Sequence, residues 1–98
     1  MNIKIHKSHR NVVAICDTDL IGKTFEEGNK QLYVKESFFK GDEMSEEEII
    51  KMMKDWKAED ATFNIVGEES TKTAIKAGII SPKSILKIGE CPYTLILL

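Results

Sequence analysis

Cysteine is scarce in this chain: only Cys16, closing an apolar run, and Cys91, just before a proline, occur in 98 residues. Thiols so far apart do not make the Cys-x-x-Cys pairs that hold structural zinc or exchange disulfides, and two histidines do not make up the shortfall. Both cysteines are read as reduced thiols, and neither a metal nor any other cofactor is expected. Long hydrophobic runs are missing too. No stretch approaches the roughly 18 apolar residues that span a bilayer, and the polar opening Met1-Asn2-Ile3-Lys4 has no signal-peptide core. No membrane partner is expected, and the expected compartment is the cytoplasm. Neither Gly-x-x-x-x-Gly-Lys nor Gly-x-Gly-x-x-Gly occurs, which removes the two common nucleotide loops. No charge of one sign dominates either. The net value of −2 argues against a general nucleic-acid binder held by bulk positive charge, and DNA is not expected as a partner.

What is present suits one α+β domain over residues 1–98, with 42% apolar residues to build a single core. A chain this short buries only about two-thirds of its unfolded surface, so a partner subunit would help it. Charge is unevenly spread: residues 1–35 carry +2, residues 36–60 carry −5 and residues 61–98 carry +1. The middle reads as a solvated acidic helix, while one end is free to face an anion.

Ile3 and Ile5 alternate with Lys4 and His6 as in a half-buried strand, and Ser8-His9-Arg10-Asn11 reads as the turn of a hairpin. Its second arm, Val12 to Cys16, is apolar without alternation and belongs in the middle of the sheet. Asp17 to Lys23 is a loop, Thr24 to Asn29 a turn closed at Gly28, and Leu32 to Val34 a third strand. One ring of the Phe38-Phe39 pair before Gly41 is expected in the core. Ser45 with Glu48 forms a capping box, with Met44 and Ile49 as a hydrophobic staple, predicting a helix that stops near Ala58. Thr62 to Val66, Gly67, and a helical pattern ending at Gly78 then read as strand, turn and helix. Strands at Ile85 to Ile88 and Thr94 to Leu98 follow. The predicted order is β-β-β-α-β-α-β-β, a mixed, mainly antiparallel sheet with two helices.

A phosphate at the second helix start is disfavoured, because Glu68 and Glu69 occupy its first turn. Asn64 is polar in a core strand and is expected to hydrogen-bond the loop after Cys16, with a pocket-facing amide as the alternative. Lys4, His6, Lys7, His9 and Arg10 make the densest basic patch, with Lys4, Lys7, His9 and Arg10 as the candidate RNA contacts, and with Tyr33 and the Phe38-Phe39 pair they match how small sheets hold single-stranded RNA.

Cys16-Asp17-x-Asp19-Leu20-Ile21-Gly22-Lys23, Phe38-Phe39-x-Gly41, Asn64-Ile65-Val66-Gly67-Glu68 and Gly89 with Pro92 together resemble a small archaeal family, domain of unknown function 424. The family-motif loops hold Asp17, Gly22, Lys23, Phe38, Phe39, Gly41, Asn64, Gly67, Pro92 and Tyr93. Where the family tends to show Phe-Tyr this chain has Phe38-Phe39, and where Pro-His-Ala is usual it has Pro92-Tyr93-Thr94. Chemistry that used that hydroxyl or that imidazole would be lost here, which favours a non-catalytic role. The resemblance implies an archaeal cytosolic protein and at most RNA binding. The expectation is a binding module contacting RNA or a ribosome-associated protein of the translation machinery. Two alternatives stand beside it: a small enzyme with a pocket near Asp17, Asn64 and Cys91 or Tyr93, and a homodimer paired through Leu95 to Leu98.

Overall fold

The alternating residues of β1 (Asn2–His6) and the apolar run of β2 (Val12–Cys16) form the predicted hairpin, with Ile3 opposite Ile15 and His6 opposite Val12. The computed structural model describes residues 1–96. A 3-10 turn at Thr18–Leu20 leaves β2 and leads to β3 (Thr24–Glu27) and β4 (Lys30–Tyr33). There follow a one-turn helix α1 (Glu36–Phe39), the two-residue strand β5 (Asp42–Glu43), α2 (Glu46–Ala58) and β6 (Thr62–Val66). The chain closes with α3 (Glu68–Lys76), a 3-10 turn at Pro82–Ser84, β7 (Leu86–Ile88) and β8 (Cys91–Ile96).

Six strands form one sheet in the order β5-β1-β2-β6-β8-β7, and β3 and β4 form a separate two-stranded ribbon. Among the described strands only β2 and β6 run parallel, Ala14 beside Asn64 and Cys16 beside Val66. The other pairs are antiparallel. The fold is therefore the mixed, mainly antiparallel α+β domain that the sequence predicts, with β2 central. It differs at Thr24 to Asn29, where the expected turn is instead a strand and the start of a hairpin. Gly28 sits at the bend with φ of 62°, a conformation that costs glycine little. The last strand starts earlier than read, at Cys91; the predicted continuation through Leu97 and Leu98 lies outside the described residues.

Side-chain alternation splits the core in two. On one face Ile3, Val13, Ile15, Phe63 and Ile65 meet Ile49 and Met53 of α2 and Ala74 of α3, with Trp56 packed at the edge. Each large apolar side chain buried there contributes about 1.5–3 kcal/mol. On the other face Ala14, Cys16, Val66 and Cys91 meet Val34 and Phe39, with Phe25, Leu32 and Phe38 packed around them. This explains why β2 reads as continuously apolar: both its faces are covered. The second cover, made of α1 and the β3–β4 hairpin, is incomplete, and Tyr33, Leu86 and Leu95 stay 53%, 56% and 56% exposed. No described helix is long and apolar enough to cross a membrane.

Candidate functional site

Parallel pairing of β2 with β6 brings Asp17 and Gly67 to the same end of the sheet, since Cys16 and Val66 are register partners. The Asp17 N–H donates to the Val66 carbonyl at 3.1 Å, and its carboxylate reaches the start of α3. There Oδ2 accepts from the Glu69 N–H at 3.1 Å, while Oδ1 accepts from the Ser70 N–H at 2.8 Å and the Ser70 hydroxyl at 2.7 Å. Helix starts attract anions, and here the anion is the chain's own, only 7% exposed. Gly67 makes room for it: a Cβ at that position would sit 2.6 Å from both carboxylate oxygens. The phosphate-hostile helix start read from Glu68 and Glu69 thus has a stronger cause. The amides of Glu69 and Ser70 are already taken.

Asn64 does not bond the loop after Cys16; α3 is what meets that loop. Its register neighbours are Ala14 and Leu95, which aim its amide at the incompletely covered face. There it lines a groove of about 360 Å³ together with Gln31, Tyr33, Phe38, Tyr93 and Leu95 among others. The amide makes no hydrogen bond to a described residue, and among the described residues no buried side-chain nitrogen or oxygen lacks a partner, so solvent reaches it in the groove.

The residues expected to share an enzyme pocket are divided. Asp17 and Cys91 line a cleft of about 200 Å³, whereas Asn64 and Tyr93 line the groove. Burial, and then the Asp17 charge, push the Cys16 thiol from 9.0 up to about 12, and the same two causes raise Cys91. Thiols raised this way stay protonated at neutral pH and are poor nucleophiles. Among the described residues no group of three or more His, Cys, Asp or Glu side chains is placed to hold a metal ion.

The basic residues are divided too, by strand parity. Lys4 and His6 lie on the groove side. Lys4 Nζ donates to the Ser37 carbonyl at 2.8 Å, His6 Nε2 lies 2.8 Å from the Phe38 carbonyl, and the imidazole stacks on the Phe38 ring at 4.5 Å. Phe38 in turn meets the buried Phe39 edge-on at 5.1 Å. Lys7 faces the opposite side, in a depression with Trp56, Asp55 and Glu59. His9 and Arg10 are exposed at the hairpin turn, just beyond the His6–Val12 pair.

The remaining motif residues shape the backbone. The Gly22 N–H donates to the Val34 carbonyl at 2.7 Å, the Lys23 carbonyl accepts from the Val34 N–H at 2.9 Å, and the Pro92 carbonyl accepts from the Gly67 N–H at 2.9 Å. The Gly41 N–H donates to Asn2 Oδ1 at 3.0 Å, where any Cβ would collide with the β1 backbone. Sequence reasoning missed Gln31 and Leu95 as groove residues. Their signal, a short alternating strand and an apolar end, is shared by any sheet.

The family described as "Protein of unknown function (DUF424)" matches the chain over residues 6–98. A crystal structure of an uncharacterized conserved protein from Methanopyrus kandleri is similar to the chain with a TM-score of 0.85 and 23% identity, covering 97% of this chain and 88% of that one. At that identity the likeness shows the fold alone. No curated protein matches the chain.

Proposed function

The chain belongs to the DUF424 family of proteins of unknown function, and from that premise and the groove's geometry we propose a non-catalytic module that binds single-stranded RNA within the translation machinery. The observation that carries this reading is the open half of the sheet face. Tyr33, Phe38 and Tyr93 bring aromatic rings around the solvent-reached Asn64 amide, and His9 and Arg10 are exposed at the turn between β1 and β2. Aromatic platforms take bases of any sequence at about 1–3 kcal/mol each, and a few cations track the backbone. The net negative charge then fits a grip made mainly by stacking. A cytoplasmic setting suits the two buried reduced thiols.

Fluorescence anisotropy with octauridylate and with total cytosolic RNA tests it. Binding is expected to weaken about tenfold in Tyr33→Ala and clearly in Arg10→Glu. Lys7→Glu, on the opposite side, should change it little. Each phosphate contact contributes a slope of about −0.7 in log K against log salt, so two or three contacts give roughly −1.4 to −2. No binding to either RNA at low salt rejects the reading.

A further inference from the structure

We infer that the groove holds one unstacked nucleobase and that Asn64 is the residue that reads its edge, an inference resting on the RNA reading above. At about 360 Å³ the groove is near the lower end of small-ligand sites, which run from roughly 300 to 1,000 Å³, and so suits one ring system. Two side-chain amides line it, but they are not equivalent. Gln31 Nε2 donates to Glu26 Oε1 at 3.2 Å, so part of its capacity is used within the hairpin. Asn64 makes no hydrogen bond to a described residue and stands on a rigid central strand between β2 and β8. A polar residue placed in a strand otherwise built for core, and left to water, offers a ligand one donor and one acceptor side by side.

That pair matches the Watson–Crick edge of any of the four bases, each of which presents a donor beside an acceptor. Single-stranded RNA is recognised by such edge contacts combined with stacking, and Tyr33, Phe38 and Tyr93 supply the rings. Guanine differs in carrying, besides its O6 and N1–H pair, two adjacent donors, N1–H and N2–H. A carboxylate, which only accepts, meets both.

Asn64→Asp therefore creates a preference for guanine. The experiment measures affinities of the wild type and Asn64→Asp for octauridylate and for the same oligomer with one central A, C or G. In the wild type the G oligomer should bind no more than about threefold tighter than the others. In Asn64→Asp it should gain about tenfold relative to them, as expected for a bidentate pair. A purely structural asparagine would leave the base order unchanged, and that result overturns the inference while sparing the RNA reading. Wild type that binds none of the oligomers removes the RNA reading itself. Should Asn64→Asp not fold, Asn64→Leu decides. Loss of about tenfold for every oligomer with an unchanged melting temperature supports base contact, and wild-type affinity overturns it.

Discussion

Asp17 ties the end of β2 to the start of α3. Its carboxylate satisfies two orphan amides of α3 and the Ser70 hydroxyl, all supplied from up to 53 positions further on. Asp17→Ala leaves Ser70 buried without partners and the helix uncapped, an expected loss of about 3 kcal/mol. Gly67→Ala should cost about as much, because φ is 111° and the new Cβ meets the carboxylate. Urea denaturation of both single variants and the double variant should show non-additive losses, coupled by about 0.5–3 kcal/mol, since removing the carboxylate relieves the clash. Independent, additive losses would contradict this account. Little of it could be read in advance. An aspartate after a strand looks like a turn residue until the parallel register brings Gly67 beside it.

Elements whose cause is local were legible. Ser45 caps α2 by accepting from the Glu48 N–H at 3.2 Å, and the Ser45 N–H and hydroxyl each donate to Glu48 Oε1 at 3.0 Å, all within four residues. Ser45→Ala is expected to cost about 1 kcal/mol by thermal or urea unfolding. The Ser45 N–H, then the hydroxyl, hold the Glu48 carboxyl below its ordinary 4.5. A lowered folded value adds stability that is present above the ordinary value and lost as pH falls through the lowered one. Acid unfolding curves of Glu48→Gln should lack that portion of the decline. The β3–β4 hairpin was less legible, because Thr24-Phe25-Glu26-Glu27 has one apolar residue and reads as loop. Its exposed ladder predicts fast opening: hydrogen exchange at Phe25 and Leu32 should be well ahead of that at Val13 and Ile15 in the covered centre.

For the whole molecule, the sequence disclosed two helices and a central β2 but not which half of the second sheet face stays open. That depends on how far a hairpin and a four-residue helix reach across it, a matter of tertiary packing alone. The groove and its Asn64 amide come from that shortfall of cover. The β2–β6 ladder has another consequence. Val12 and Thr62 are half the chain apart, and all of β3 to α2 is threaded between them. Closing so long a loop costs entropy before any contact is gained. As the chain leaves the ribosome, the first hairpin therefore waits with one flank bare until β6 emerges, and only then can α3 find the carboxylate that anchors it.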